Sequence, residues 1–478
     1  MPRRAKILAT LGPATDDLRV LTELVRAGTD LVRINFSHGR PEDHARRVRL
    51  VREAAGVAER YVGILGDLCG PKIRIEGFAS GPVMLAEGEA FTLDTALGPR
   101  DGTVEAVGVT YEALPGDVRP GDTLLLNDGL IALTVESVSG TRVNTRVALG
   151  GELSDNKGLN KQGGGLSAGA LTDKDRRDIR TAAELGVDYL AVSFVRKAAD
   201  VEEARRLLQE AGGHARIVSK IERSEAIAHL EEVVVASDAV MVARGDLGVE
   251  VGYAELTGLQ KRIIRLARAR NRPVITATQM MESMILNPAP TRAEVSDVAN
   301  AVMDGTDAVM LSAETAVGRY PVKVVKEMAQ VIVGAEKWHM AYRRDRTRFD
   351  AQFSRTDEAI ASAVMNTANH LDVKAIVALT ESGSTPLWMS RIRSDIPIYA
   401  FTRQEQTLRR VTLYRGVYPI PFDVTHTDPN ILYPTIFARL VELGLVREGD
   451  LIILTKGEMS GVTGGTNTMK ILEVRGGT

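Results

Sequence analysis

An alternation of short apolar runs with amphipathic helical stretches constrains the fold of this chain more than any other feature. Runs of β-branched residues bounded by turn signals are typical of buried parallel strands. Eight such units, each followed by a helical stretch, match the count of a closed (β/α)₈ barrel. An open, doubly wound sheet also accommodates eight strands, but it does not explain why so many of them end in polar residues. The predicted strands cover residues 6–12, 31–37, 61–68, 189–195, 216–222, 239–246, 273–279 and 308–313.

The alternation is interrupted once, after Gly70-Pro71. Short alternating segments separated by glycine, proline and Asn-Asp-Gly turns follow, and they predict a small all-β domain inserted into the barrel. Its glycine-rich end, 157–165, is expected to be a mobile return hinge. Beyond a charged connector at 343–350, strands predicted at 374–379, 398–401 and 451–454 alternate with helices and indicate a separate α/β domain. The predicted domains are a barrel (1–70 and 168–340), an inserted lid (71–167) and a C-terminal α/β domain (341–478).

Composition excludes several classes of protein. With 60 basic and 62 acidic residues the net charge is −2, which argues against nucleic acid or an anionic membrane as the main partner. The single cysteine, Cys69, excludes an internal disulfide framework and favours a reducing, cytoplasmic environment. No run of 18 apolar residues predicts a membrane span, and the first residues do not resemble a cleavable signal.

A lysine and two carboxylates follow two consecutive strands. Side chains alternate along a strand, so Lys220 and Glu222 are expected on the same face, and the next strand brings Asp246 to the same end. Burying such charges unpaired is costly. A divalent metal between Glu222 and Asp246, with an anionic substrate against Lys220, would relieve that cost. A structural Lys–Glu pair at a barrel rim remains the alternative for either run alone.

Other predicted strands also end in polar groups. Alternation places Arg33, Asn35 and Ser37 on one face, which predicts either a phosphate-binding fork or a capped strand end. The strand ending at Asp67 leads directly into two cations at the start of the inserted domain. Thr278 follows a further strand, where a hydroxyl serves either a substrate or the N-cap of the next helix. The two cations after Asp67 are Lys72 and Arg74.

Taken together, these segments closely resemble pyruvate kinase. The matching motifs are RINFSHG, GPKIR, SKIE, MVARGDLG, ATQMMESM, PTRAEVSDVANAV and SAETA, which occur in the family's order over essentially the whole chain. The resemblance implies a glycolytic enzyme that transfers the phosphoryl group of phosphoenolpyruvate to ADP, giving pyruvate and ATP. It further implies a cytoplasmic homotetramer that requires Mg²⁺ or Mn²⁺ and is allosterically regulated.

The resemblance also assigns roles to residues. Glu222 and Asp246 would hold the metal, while Lys220 and Arg33 would neutralise the phosphoryl group in flight. The substrate would also meet the amides of Gly245 and Asp246, together with Thr278 and Ser312, and Thr278 would help protonate the enolate through water. The inserted domain would close as a lid that excludes water. The positions that match the family's nucleotide contacts are His38, Arg74 and Lys157.

Three positions depart from the family pattern: Leu68 stands where many members have threonine, Lys72 where many have glutamate, and Val317 where some have a basic residue. Val317 weakens one possible nucleotide contact. Many members hold potassium with residues that match Asn35, Ser37, Asp67 and position 68. A lysine ammonium at position 72 would supply that positive charge covalently, so the sequence predicts that potassium is not required.

A hydroxyl-rich loop in the C-terminal domain matches the effector-phosphate loop of the family. Hydroxyls and free amides at a helix N-terminus form a ready anion site, although an ordinary N-cap is the simpler alternative. A sugar phosphate or nucleotide monophosphate is the expected effector. The neighbouring loop, 456–466, lacks the aromatic and arginine pattern of fructose-bisphosphate-regulated members. The matching residues are Thr380, Ser382, Gly383, Ser384 and Thr385.

Two other functions stay open at this point. A barrel lyase or aldolase acting on 2-oxo acids through a metal-stabilised enolate would also need two carboxylates and a lysine. It would not need a lid carrying Arg74 and Lys157 to meet a nucleotide. A metabolite-sensing scaffold without turnover would be expected to have lost a key charge, yet Arg33, Lys220 and Glu222 are all present.

Overall fold

The computed structural model describes residues 2–342, 353–423, 428–457 and 464–475. The chain begins with the first strands and helices of a barrel. The helix after the first strand starts where the Asp17 carboxylate accepts a hydrogen bond from the Val20 amide (3.0 Å), and it ends at Gly28. The elements are β1 (Lys6–Thr10), α1 (Leu18–Ala27), β2 (Leu31–Asn35), α2 (Pro41–Val57) and β3 (Gly63–Asp67).

An all-β region separates β3 from the rest of the barrel. Its order along the chain is β4 (Val83–Leu85), β5 (Ala90–Asp94), β6 (Ala106–Gly108), the short helix α3 (Leu114–Asp117), β7 (Thr123–Leu126), β8 (Ile131–Ser139), β9 (Arg142–Leu149), β10 (Gly151–Leu153) and β11 (Leu159–Lys161). Six strands form one sheet in the order β11-β7-β8-β9-β5-β6, and β10 pairs with β4. The region surrounds its own apolar core, which the alternating pattern predicted.

The predicted hinge at 157–165 is only partly a hinge. Strand β11 occupies its centre because Leu159 is buried in the core of the all-β region and pairs with Leu126 of β7. The segment that returns to the barrel is therefore shorter, and its three consecutive glycines, 163–165, all have positive φ.

The barrel resumes with alternating helices and strands. They are α4 (Asp173–Glu184), β12 (Tyr189–Val192), α5 (Ala198–Glu210), β13 (Arg216–Ile221), α6 (Ser224–Ala228), α7 (Leu230–Ala236), β14 (Ala239–Ala243), α8 (Arg244–Val251), α9 (Tyr253–Ala269), β15 (Val274–Ala277), α10 (Arg292–Asp304), β16 (Ala308–Leu311), α11 (Ala313–Ala316) and α12 (Pro321–Tyr342). Eight parallel strands close in the order β1-β16-β15-β14-β13-β12-β3-β2. The predicted (β/α)₈ barrel is confirmed.

Every predicted barrel strand extends one to three residues past the carboxyl end of the observed strand, and one of these overruns changes the description of the site. The run at 239–246 was expected to be a strand throughout, but β14 stops at Ala243 and helix α8 begins at the next residue. Ala243 pairs with Ala277, the last residue of β15, so no neighbouring strand is left to bind the backbone beyond it. Asp246 consequently lies in the first turn of a helix.

The last region is an α/β domain with one five-stranded sheet in the order β19-β18-β17-β20-β21. Its elements are α13 (Thr356–His370), β17 (Val373–Leu379), α14 (Ser384–Ser390), β18 (Ile398–Thr402), α15 (Glu405–Arg410), β19 (Val417–Pro421), α16 (Pro429–Glu442), β20 (Leu451–Gly457) and β21 (Thr466–Glu473). Both edge strands, β19 and β21, were missed. Two prolines interrupt the pattern of β19, and β21 is largely polar and part-exposed, as edge strands tolerate.

This domain packs against the N-terminal face of the barrel. Interior barrel side chains such as Leu8 and Tyr189 share an apolar cluster with Leu413 and Tyr414 of the C-terminal domain, and the Tyr189 hydroxyl donates to the Arg410 carbonyl (2.7 Å). The opposite face of the barrel, at the carboxyl ends of its strands, is where polar side chains converge.

Two sequence predictions fall wholly or partly outside the described residues: the charged connector at 343–350 and most of the loop 456–466. In the part of the chain that is described, none of the helices combines the length and the apolar character that a bilayer crossing demands.

Candidate active site

The end of strand β13 delivers the central pair of charges. Lys220 is its penultimate residue and Glu222 immediately follows it, so alternation brings both side chains to one side, with Nζ 2.9 Å from Oε1. The Glu222 side chain is only 1% exposed and that of Lys220 13% exposed. A buried charge is tolerated only when groups of opposite charge lie close to it, so Lys220 requires carboxylates around its ammonium group.

Strand β3 supplies a second carboxylate to the same lysine. Asp67 is the last residue of β3, and its Oδ1 lies 3.4 Å from the Lys220 Nζ. Its other oxygen accepts a 2.5 Å hydrogen bond from the Arg33 Nε on the neighbouring strand β2. Burial alone would raise the pKa of Asp67, but Lys220 and Arg33 outweigh it and hold that pKa below its usual value.

The pKa of Lys220 moves in the opposite direction. Burial lowers it, yet the negative charges of Asp67 and Glu222 more than compensate, so the ammonium is held charged well beyond neutral pH. A permanently protonated lysine cannot serve as a general base here. It can stabilise a transferring anionic group, which is the use that its position suggests.

Ser193 and Phe194, which follow strand β12, complete this cluster and were missed by the sequence interpretation. The Lys220 Nζ donates to the Ser193 Oγ (2.8 Å), which itself donates to the Leu68 carbonyl. The Phe194 amide, at φ 54°, donates to the Glu222 Oε2 (2.8 Å). A polar residue at the end of a barrel strand was the available signal for Ser193, whereas an amide contact has no sequence signal.

Glu222 is also the residue best placed to hold a metal. Burial raises its pKa, the nearby charge of Asp246 raises it further, and Lys220 opposes both effects. A cation between the two carboxylates would reverse that destabilisation. Mg²⁺ is commonly bound by one or two carboxylates, with substrate oxygens and water completing its shell, so this pair fits the ion. Among the described residues no cluster of three or more His, Cys, Asp or Glu side chains suits a metal ion.

Thr278 lies opposite this pair, just after strand β15. The backbone of Thr278 has φ 68°, and that of Gln279 has φ 53°. Threonine is β-branched, so it adopts this left-handed conformation only when the surrounding structure constrains it. The Thr278 Oγ1 accepts a hydrogen bond from the Gly245 amide (2.9 Å). Buried Arg244 holds this turn: its guanidinium donates to the carbonyls of Thr278 and Gln279 and to both oxygens of Asp297. Arg244 was not singled out from the sequence.

Ser312 and Asn35 occupy two further strand ends. The Ser312 Oγ is buried and forms no hydrogen bond with a described group, whereas its amide donates to Glu314 (2.6 Å). The Asn35 Oδ1 accepts a hydrogen bond from the Ser37 amide, so these two residues build the turn after β2, in which Ser37 is exposed. Leu68 is buried in the apolar core of the barrel.

Lys72 does not lie beside Asp67, where the sequence interpretation placed its charge. Its Nζ donates to the Asp246 Oδ1 (3.2 Å) and lies 3.9 Å from Asp128 of the all-β region. Arg33 and Lys220 already occupy the Asp67 carboxylate, which is why the ammonium pairs with the next carboxylate across the cleft.

The residues matched to nucleotide contacts lie further out. Arg74 is exposed, and its guanidinium donates to the Asn156 carbonyl (2.8 Å). Lys157 is half-buried in the segment that pairs with residues 74 and 75, and its carbonyl accepts the Ile75 amide. His38 lies in the exposed turn after β2. None of these three side chains forms a described hydrogen bond or ion pair with the charged cluster around Lys220.

The hydroxyl loop of the C-terminal domain is compact. The Thr380 Oγ1 accepts a hydrogen bond from the Gly383 amide (2.9 Å), and the hydroxyls of Ser382 and Ser384 lie 3.3 Å apart. Gly383 has φ 81°, which glycine adopts without strain, and it precedes helix α14. The Thr385 hydroxyl is already paired with that of Thr466 at 2.6 Å, so it faces strand β21.

A barrel whose strand ends gather a charged lysine, an arginine and two buried carboxylates is suited to stabilise a transferring anion. Together with the inserted all-β region, this defines a phosphotransferase of the barrel class. The family models for "Pyruvate kinase, barrel domain" and "Pyruvate kinase, alpha/beta domain" match residues 2–325 and 358–472.

Relatives along the full length agree with those matches. The chain is 54% identical to pyruvate kinase II of Salmonella typhimurium over 476 residues, which cover 99% of both chains. It is 52% identical to the pyruvate kinase of Haemophilus influenzae over 95% of this chain and 96% of the relative. It is 44% identical to that of Geobacillus stearothermophilus over 98% of this chain and 80% of the relative. The chain belongs to the pyruvate kinase family.

Proposed function

We propose that this enzyme transfers the phosphoryl group of phosphoenolpyruvate to ADP, giving pyruvate and ATP. The observation that carries the proposal is Lys220, buried and permanently charged between Asp67 and Glu222 with Arg33 beside it. Phosphoryl transfer needs little covalent help from a protein, and catalysis rests on positioning and on charge stabilisation. Lys220 and Arg33 approach the transferring group from two sides and compensate its charge.

Glu222 and Asp246 are the residues that would hold Mg²⁺ or Mn²⁺. When bound, the ion would neutralise negative charge on the substrate's carboxylate and phosphoryl oxygens. Lys72 pairs with Asp246, and its side chain is 28% exposed, so it can release this carboxylate to a metal ion and move into water at little cost.

Thr278 is the residue proposed to guide the proton to the enolate, through water. Its hydroxyl already accepts the Gly245 amide and donates to the Ala277 carbonyl, so its orientation is fixed. The substrate carboxylate would bind at the amides of Gly245 and Asp246, at the N-terminal turn of α8, where helix amides favour an anion. Ser312 is also proposed to bind the substrate, because its buried hydroxyl has no hydrogen-bond partner among the described residues.

The region from about 71 to 167 acts as the lid, between barrel parts 1–70 and 168–340, while 341–478 forms the regulatory domain. Arg74, Lys157 and His38 border the cleft and bind the nucleotide phosphates when the lid closes. Val317 is exposed and stands where some members of the family carry a basic residue, so one possible nucleotide contact would be weaker. Closure excludes water that would otherwise hydrolyse the phosphoryl group.

A coupled assay decides the reaction. ATP formed from phosphoenolpyruvate and ADP, dependent on Mg²⁺, is the expected result. Cleavage or condensation of a 2-oxo acid without nucleotide dependence would identify a barrel lyase or aldolase instead. Binding of phosphoenolpyruvate with no turnover would indicate a metabolite-sensing scaffold. The presence of Arg33, Lys220 and Glu222 argues against that alternative, because a protein without turnover would be expected to have lost one of these charges.

The enzyme is proposed not to require potassium. Lys72 does not pair with Asp67, but it places a covalent cation within 4 Å of Asp246 and Asp128, and its charge offsets negative charge near the transferring phosphoryl group in place of a bound monovalent ion. Replacing potassium by tetramethylammonium at equal ionic strength should leave activity within a few-fold. A tenfold fall, equivalent to ~1.4 kcal/mol, would refute the proposal. Lys72→Glu should create a potassium requirement.

The enzyme is further proposed to be a cytoplasmic homotetramer, activated by a sugar phosphate or nucleotide monophosphate at Thr380 to Thr385. The loop brings the hydroxyls of Ser382 and Ser384 within 3.3 Å of each other at the start of helix α14. Sedimentation velocity tests the tetramer. Ser382→Asp and Ser384→Asp should abolish the effector's lowering of the apparent KM for phosphoenolpyruvate, because a carboxylate repels a phosphate. An intact response in both variants would place the effector elsewhere.

A further inference from the structure

Arginine side chains from distant segments meet where the N-terminal face of the barrel packs on the C-terminal domain, at the end opposite the active site. They line a cavity of about 40 Å³ together with Ser390, Ser394 and Asp307. One arginine precedes β1, one lies in α9, two follow α14 and one precedes β19. The five are Arg4, Arg268, Arg391, Arg393 and Arg415.

The carboxylates in and beside this cavity already have hydrogen-bond or ion-pair partners. Asp307 binds Arg391 through both oxygens and also accepts the Arg415 and Val274 amides. Glu336 lies 3.4 Å from the Arg415 guanidinium. Because Asp307 has no free lone pair directed at the cavity and is neutralised by Arg391, it presents little repulsion to an anion.

Arg268 is surrounded mainly by other guanidinium groups, and the carboxylate that acts on it, Asp307, already pairs with Arg391. Its Nη2 donates to the Arg391 carbonyl (3.1 Å), and it forms no ion pair with any residue in the described ranges. Burial and then the charges of Arg393, Arg391 and Arg415 lower its pKa to about 9. A guanidinium has five N–H donors, so most of the hydrogen-bonding capacity of Arg268 is directed at the cavity or at water.

From this charge arrangement we infer that the cavity is a binding site for inorganic phosphate. Guanidinium forks match the oxygens of a tetrahedral oxyanion, which would give Arg268 its missing partner. A water molecule needs roughly 10–15 Å³ of such space, so a cavity of about 40 Å³ admits an ion the size of phosphate and excludes a sugar ring.

Phosphate in this cavity would bridge the two domains. Arg268 belongs to barrel helix α9, whereas Arg391 and Arg415 belong to the C-terminal domain. One anion bound by both sides would replace guanidinium repulsion with ion pairs across the interface. The bound state would therefore resist domain separation, and phosphate would raise the thermal midpoint of the full-length protein by mass action.

The test compares thermal midpoints of the full chain with and without inorganic phosphate, with sodium chloride maintaining the ionic strength. Wild type should gain about 2 °C or more at saturating phosphate. Arg268→Gln should lose that gain. The matched control is Arg206→Gln on the exposed face of α5, where Arg206 pairs only with Glu210, and it should respond like wild type.

Two further variants keep the test decisive. Ser394→Asp places a carboxylate in the cavity wall, so it should abolish the phosphate response without removing an arginine, even if Arg268→Gln does not fold. Ser384→Asp removes the proposed effector loop as a phosphate site and should respond like wild type. A gain that survives in Ser394→Asp, or that disappears in Ser384→Asp, overturns the proposal. So does a gain given by glucose 6-phosphate but not by inorganic phosphate.

Discussion

Replacement of Lys220 by methionine should remove the charge proposed to stabilise the transferring group while leaving the barrel folded. The variant keeps a similar side-chain length but leaves Asp67 and Glu222, each 1% exposed, without their shared cation. Loss of one preorganised charge at a transferring group should cost on the order of 4 kcal/mol here, so turnover should fall by about a thousandfold. The rate of pyruvate formation in a lactate dehydrogenase-coupled assay measures this directly.

The same change should make stability depend on pH. Breaking a buried ion pair costs about 3–5 kcal/mol when the remaining charge persists. Arg33 still neutralises Asp67, but Glu222, whose pKa is already raised by burial and by Asp246, will take up a proton more readily. An acid with a raised folded-state pKa stabilises the fold at low pH, and that contribution is lost as pH rises through this pKa. The deficit in thermal midpoint should therefore grow between pH 5 and pH 8.

Lys261→Met is the matched control, because Lys261 pairs with Asp304 on the surface of α9 far from the cluster. It should retain wild-type turnover and show no such pH trend. Wild-type-like turnover in Lys220→Met would remove this lysine from the mechanism. A stability deficit that stays constant with pH would show that Glu222 does not respond to the loss of its partner.

Three other outcomes are expected. Glu222→Gln should raise the Mg²⁺ concentration needed for half-maximal activity by about tenfold or more, and an unchanged titration would exclude it as a ligand. Ser193→Ala removes the hydroxyl that accepts the Lys220 ammonium and should lower kcat about tenfold, ~1.4 kcal/mol, whereas full activity would assign that hydroxyl no positioning role. Lys6 is buried, and burial lowers its pKa from 10.5 to about 8. At neutral pH the charged form therefore lowers the free energy of unfolding by up to about 3 kcal/mol. This destabilisation disappears as the pH rises from 8 toward 10.5, because the folded protein loses the proton first. Lys6→Met should accordingly raise the thermal midpoint at pH 7, with the advantage shrinking by pH 10; an advantage independent of pH would contradict this.

Local periodicity was sufficient to predict the barrel and many, but not all, of the polar residues at its strand ends. The periodicities of strands and helices differ, so eight apolar runs with intervening helices could be counted, and alternation alone placed Lys220 beside Glu222. The all-β region could also be predicted from the sequence, because its turn residues and its lack of long helical patterns are local properties of the chain. Edge strands β19 and β21 were not readable, since an edge tolerates proline and polar residues that a central strand excludes.

Only the tertiary structure decided which groups meet across strands that are distant in sequence. Lys220 touches Asp67 and Ser193 because closure of the barrel makes β3, β12 and β13 consecutive neighbours. Lys72 pairs with Asp246 rather than Asp67 because two other cations had already occupied that carboxylate. Local periodicity specifies the direction of a side chain within its own element. The partner that it finds depends on chain closure and on competition among charges, which no local pattern encodes.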